Sequence, residues 1–218
     1  MTRDLGKSLL KLLGCGVLLL GGMLLLGLLI THVLVHGSIG HLDDSIERSL
    51  AAHRTPTLNT LTNVGTQLAQ PLNVEIALVV LVLGLAVATR RVLPPLFLAV
   101  AVIGESAIYF TASTLIPRDR PHVPRLGVGD PVASYPSGHA AASLCLYGGL
   151  AVLAWRFTSR RSLQVPLTVL AVVLPPLVGF CRMYRGFHHL TDILAGLVLG
   201  AIWLLLTTRL LLPARRTR

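Results

Sequence analysis

Six long apolar runs, at about residues 9–36, 70–89, 92–115, 137–155, 163–181 and 189–212, divide the sequence, with short polar segments between them. Each is close to the roughly 20 residues a helix needs to cross the hydrocarbon of a bilayer. Only 13% of the 218 residues are charged, against 53% hydrophobic, so lipid rather than a soluble core must take up most of this apolar surface. The expected fold is an all-α integral membrane protein of six transmembrane helices, with residues 1–218 as one domain. The first run follows Lys7 and Lys11 as the core of a signal peptide would. It is too long for one and shows no small-x-small cleavage site before His36, so it reads as a retained anchor.

Lys and Arg near span ends favour the cytoplasmic side. With the N-terminus inside, the inside set is Arg3, Lys7, Lys11, Arg90, Arg91, Arg156, Arg160, Arg161, Arg209, Arg215, Arg216 and Arg218, which is 12 of the 19 basic residues. N-in, C-in is therefore the expected topology of this multi-pass protein of the plasma, or bacterial inner, membrane. The inside arginines suit anionic lipid headgroups. A formal charge of +10 could also suggest nucleic acid, but no zinc spacing, recognition-helix pattern or phosphate-binding Gly-rich loop accompanies it, so no nucleic-acid partner is expected. Cys15, Cys145 and Cys181 read as packing residues, a Cys145–Cys181 bridge being undecidable from sequence.

Between the first two spans, residues 40–71 are polar and interrupted at Pro56. Leu42, Ile46 and Leu50 recur at helical spacing with Asp43, Asp44, Glu47 and Arg48 around them, which predicts an amphipathic helix along the outer interface. It would serve as a cover for the bundle or as a gate for a lipid.

Seven basic residues fall outside, and five of them, Arg118, Arg120, Arg125, Arg182 and Arg185, crowd into two segments. Threading six spans brings the outer ends of spans three to six together, and each carries polar residues: IPRDRPHVPR, YPSGH, CRMYRGFHH and HLTD. Ionisable groups gathered at membrane depth point to function. Arg120 and Arg182, with Arg118 and Arg185 nearby in sequence, offer forked donors for phosphate oxygens. Ser137 and Gly138 open span four, where unpaired N–H groups and the helix dipole attract an anion, and Gly138 has no side chain to obstruct it. His188 and Asp192, four apart, share a face if helical, so the carboxylate would hold one imidazole nitrogen protonated and leave the other as a nucleophile. His139, on another helix, is placed to protonate a leaving oxygen. No metal or other cofactor is expected. Glu105, in the middle of span three, is read as protonated, paired or facing a polar cavity, while His32, His36 and His122 read as interfacial or loop residues.

Three elements in order, RDRP (Arg118 to Pro121), PSGH (Pro136 to His139) and CRMYRGFHHLTD (Cys181 to Asp192), resemble the signature motifs of the type 2 phosphatidic acid phosphatase (PAP2) family of membrane lipid phosphatases. The core of the resemblance is 113–192. It implies that His188 forms a phosphohistidine supported by Asp192, that His139 is the general acid, and that Arg120, Arg182, Ser137 and Gly138 hold the phosphoryl oxygens. His189 is a rival nucleophile, but the Arg-to-His spacing of the third motif selects His188. In two places the sequence departs from the pattern. The family's first motif begins with a Lys where this chain has Ser113, and Cys181 stands where the third motif has Ser. Arg118 is the expected source of the second cation.

The function this implies is metal-independent hydrolysis of a membrane lipid phosphate at an extracytoplasmic site. Polyprenyl or undecaprenyl (di)phosphate, phosphatidic acid and phosphatidylglycerol phosphate all fit as substrates. The alternatives are a lipid phosphotransferase of the same family and a non-catalytic lipid-phosphate binding or transport protein.

Overall fold

Each apolar run becomes one helix, and the ends fall where the local chemistry stops or starts one. In the computed structural model, which describes residues 2–127 and 133–212, with side chains from Leu5 onward, the helices are α1 (Thr2–His32), α2 (Ser38–Ala52), α3 (Pro56–Gln67), α4 (Pro71–Thr89), α5 (Leu93–Leu115), α6 (Gly138–Phe157), α7 (Arg161–Tyr184) and α8 (Leu190–Leu211). A 3₁₀ turn, Leu34–His36, joins α1 to α2, and there is no strand among the described residues. Pro56 and Pro71 sit in the first turns of α3 and α4, where an absent N–H costs nothing. Ser137 caps α6, and Thr55 caps α3 through its hydroxyl. Arg215, Arg216 and Arg218, counted above as inside charges, lie outside the described residues, as does the side chain of Arg3.

Six helices, α1 and α4 to α8, are long and apolar enough to cross a membrane. Their outward faces carry Leu18, Val87 and Val172, all well exposed and suited to lipid. Inside, Phe97, Leu98 and Ala101 of α5, Cys145 and Leu146 of α6, and Leu199 and Trp203 of α8 form the core, and the Trp203 indole N–H donates to the Val100 carbonyl at 3.2 Å. α6 lies against α5, α7 and α8. Small residues let α8 approach it: a Cβ on Gly196 would lie 2.3 Å from the Ser137 carbonyl oxygen. Because the spans alternate in direction, the ends of α5 and α7 and the starts of α4, α6 and α8 meet at one end of the bundle, where α2 and α3 also lie.

The segment between α1 and α4 differs from expectation in two ways. It forms two helices, and α2 turns its acidic face inward: Asp43 and Glu47 are each 3% exposed, whereas Leu42 is 53% exposed. Next to lipid the usual rule inverts, since apolar side chains are content outside and charges need partners within. Those partners are Arg118 and His189.

Candidate active site

The chain reaches the site through tight backbone junctions. α7 is closed off by Gly186, two residues past its end, whose φ of 78° is left-handed; its N–H donates to Met183 O at 2.9 Å and the next, from Phe187, to Arg182 O at 3.0 Å. This paired closure of a helix end turns Phe187 and His188 back over the bundle. On the opposite side, Ser137 N–H donates to Asp192 O at 3.0 Å and Ser134 N–H to Arg118 O at 2.9 Å, so three segments distant in sequence are fixed to one another by main chain.

His188 is 3% exposed, and its Nδ1 lies 2.8 Å from the Ser134 carbonyl oxygen. A carbonyl can only accept, so Nδ1 carries the hydrogen and Nε2 the lone pair. Sequence spacing assigned that holding task to Asp192, but its nearer oxygen is 3.9 Å from Nδ1. The difference arises because α8 begins at Leu190, after His188, and Asp192 is its third residue, accepting from the His189 N–H at 2.9 Å in a capping box. Asp192 thus stands one step behind, also receiving the Ser134 hydroxyl and Arg118. Burial lowers the pKa of His188 to about 4; Asp192 opposes the shift, and the fields of Arg182 and Arg120 add to it. At neutral pH the ring is uncharged.

Arg120 and Arg182 flank the residue before it. Arg120 Nη1 donates to the Phe187 carbonyl at 2.7 Å, and the Arg182 guanidinium lies 4.2 Å from the centre of the Phe187 ring, with Nη1 3.4 Å from the Thr66 hydroxyl. His139, in the first turn of α6, gives its Nε2 hydrogen to Gln70 Oε1 at 3.3 Å. Arg182, His188 and Arg120 all act on it electrostatically, which brings the two histidines and two of the arginines into one cluster. Ser137 and Gly138 are at the start of the same helix. The Ser137 hydroxyl accepts from Ala140 N–H at 3.5 Å as a cap. The space beside Gly138 is filled by the Tyr109 ring, 2.7 Å from where a Cβ would sit, so packing alone already excludes a side chain there.

Arg118 does not join this cluster. Its Nη1 donates to Asp192 at 2.5 Å and to Thr191 Oγ1 at 2.7 Å, and its Nη2 to Asp43 at 3.0 Å, so its donors face carboxylates and it cannot replace the missing lysine at a phosphate. Ser113 turns its hydroxyl to the Phe110 carbonyl of its own helix at 3.0 Å. Arg185 is likewise structural, holding the Asn59 and Leu126 carbonyls, and burial lowers its pKa. Arg54 closes the end of α7 by donating to Tyr184 O at 2.9 and 3.1 Å. His189 pairs with Glu47 through Nδ1 and with the Asp119 carbonyl through Nε2 at 3.1 Å, which leaves no nitrogen for nucleophilic attack. The Cys181 side chain occupies the space over Gly65 of α3, its sulfur 2.5 Å from where a Cβ would sit, and all three cysteines are unbridged. Glu105 is fully buried in α5, with Ser106 Oγ 3.4 Å from its Oε2. Asp43 and Glu47 were missed as site residues. Their four-residue spacing on one helix face, opposite two segments with excess arginine, was the available signal.

A bundle of six membrane-crossing helices with buried histidines, arginines and a carboxylate gathered at one end defines a multi-pass membrane protein with a cluster of ionisable side chains at that end. The chain belongs to the PAP2 superfamily, whose sequence profile matches residues 94–216. Over 72 residues it is 36% identical to phosphatidylglycerophosphatase B of Bacillus subtilis strain 168, a match that covers 32% of this chain and 34% of that protein. The chain therefore aligns with about a third of the length of that curated relative. The fold is similar to the crystal structure of a transmembrane PAP2-type phosphatidylglycerolphosphate phosphatase from Bacillus subtilis, with a TM-score of 0.78 at 23% identity, covering 93% of this chain and 98% of the other.

Proposed function

We propose that the protein is a lipid phosphate phosphatase that works through a phosphohistidine at His188, without a metal. The observation that carries this reading is the Nδ1 to Ser134 carbonyl contact of 2.8 Å, which holds His188 in the tautomer with Nε2 available for attack. Nε2 forms a bond to phosphorus while the bond to the lipid oxygen breaks, and His139 gives that oxygen a proton. The charge of the incoming phosphate favours the protonated form of His139 at that stage. Arg120 and Arg182, with the N–H groups that open α6, meet the phosphoryl oxygens. Water then attacks phosphorus, the P–N bond breaks and a proton returns to His139. The bound lipid keeps its tail in the bilayer, and the excess of basic residues at the opposite end supports an extracytoplasmic site with both termini inside. Among lipid phosphates, phosphatidylglycerol phosphate is the first choice, because the curated relative is named for it.

The test is purified protein in mixed micelles with phosphatidylglycerol phosphate, phosphatidic acid and undecaprenyl mono- and diphosphate, all in EDTA. Phosphate release from at least one, and its loss in His188→Ala, is the expected result. EDTA-abolished turnover or full activity in His188→Ala would sink the mechanism, and phosphoryl transfer to added alcohol in preference to water would make the protein a transferase.

A further inference from the structure

Asp192 is fully buried and is the negative group closest to His188, yet Arg118 lies directly against it. A guanidinium at 2.5 Å would cancel most of the field that His188 feels from the carboxylate. Arg118 is itself shared. Its second terminal nitrogen is 3.0 Å from Asp43 of α2, and both residues are buried, at 7% and 3% exposed. Asp43 also takes the Thr191 N–H at 3.2 Å and the Thr191 hydroxyl at 2.6 Å, so a carboxylate from α2 helps cap α8. One cation between two carboxylates leaves one net negative charge behind His188. A phosphorylated, or a protonated, imidazole is positive and needs that charge.

We propose that Asp43, on a helix outside the segment matched by the family profile, is a positioning residue that offsets Arg118 and so keeps the Asp192 charge effective at His188. The inference rests on the reading of His188 as nucleophile, but its physical content is the sign of the charge behind that ring. The charged and titratable groups around His188 come from every neighbouring element: Asp192 of α8, Arg182 of α7, Arg120 of the α5–α6 connection and His139 of α6. Behind Asp192 stand Arg118, Asp43 and the His189–Glu47 pair. A purely structural brace between α2 and α8 would weaken the site in the same direction whichever residue is lost. A charge balance would not.

The experiment uses the full chain in nanodiscs and two readouts: the acid limb of kcat/KM, and the titration of the His188 ring by ¹⁵N NMR, assigned by its loss in His188→Ala. Asp43→Asn leaves Arg118 to neutralise Asp192 alone, so the limb and the ring titration move to lower pH by about one unit and kcat falls about tenfold. Arg118→Gln moves both to higher pH. Asp43→Asn with Arg118→Gln restores the net charge and brings the titration back towards the wild-type position, and Asp43→Glu keeps it there. Unmoved His188 titration in both single variants, or a double variant displaced further than either, would overturn the inference and leave Asp43 as a brace. NMR decides this even if no lipid phosphate is turned over; failure of the catalytic reading would show separately, as identical phosphate release from wild type and His188→Ala.

Discussion

A histidine can attack phosphorus only with a lone pair in place, and here a main-chain oxygen, that of Ser134, fixes which nitrogen has it. The second histidine has the opposite task. His139 presents Nε2–H, now satisfied by Gln70, and in the proposed reaction that hydrogen goes to the lipid alcohol. An alkoxide is a very poor leaving group and needs the proton, whereas a nitrophenolate does not. His139→Ala should therefore lower kcat on a lipid phosphate by about 10²- to 10⁴-fold, and on p-nitrophenyl phosphate by about tenfold or less. Equal losses on both substrates would remove His139 from the proton-transfer role. With Ser113 turned to its own helix and Arg118 held by carboxylates, the proposed reaction draws the positive charge for the phosphate from Arg120 and Arg182.

At the scale of helices, the position of PSGH depends on α8 as much as on α6. Gly196 faces the Ser137 carbonyl so closely that a methyl group would force the first turn of α6 away, and His139 with it. Misplacement by about 1 Å can cost about 10²-fold in rate. Gly196→Ala should show a loss of that order in kcat with the protein still folded, while Gly84→Ala, with nothing within 4 Å, should leave kcat unchanged. A fully active Gly196→Ala would mean the contact is not decisive. The same scale shows what sequence could and could not reveal. Spans came out within a few residues of α4 to α8, because twenty apolar residues admit few alternatives. PSGH, Arg182 and His188 were legible because each sits at a helix end with a recognisable spacing. The inward face of α2 was not, because amphipathic spacing gives a stripe but not which solvent the stripe faces. Nor could the role of Arg118 be read: Arg118, Arg120 and Arg125 lie within eight residues, and only the fold shows that Asp43 and Asp192 converge on the first.

For the whole molecule, orientation in the membrane decides which leaflet the site serves. Among the described residues, Lys7, Lys11, Arg90, Arg91, Arg156, Arg160, Arg161 and Arg209 belong to the end opposite the site, where they have lipid headgroups or water to meet. The basic residues at the site end are different in kind. Arg118 is neutralised by carboxylates, Arg54 and Arg185 bind helix and loop carbonyls, and Arg182 is buried, so few of them remain as signals for cytoplasmic retention. Charge that is spent inside the fold weighs little against eight exposed-end cations, which supports the N-in, C-in topology proposed above. With Cys15, Cys145 and Cys181 changed to alanine, Thr57→Cys on α3 should react with a membrane-impermeant maleimide in intact spheroplasts. Ser162→Cys, at the start of α7, should react only after lysis. Thr57 and Ser162 are both exposed, so access is set by the membrane and not by packing. The reverse pattern would put the site in the cytoplasm, and the substrate would then have to be a lipid phosphate of the inner leaflet.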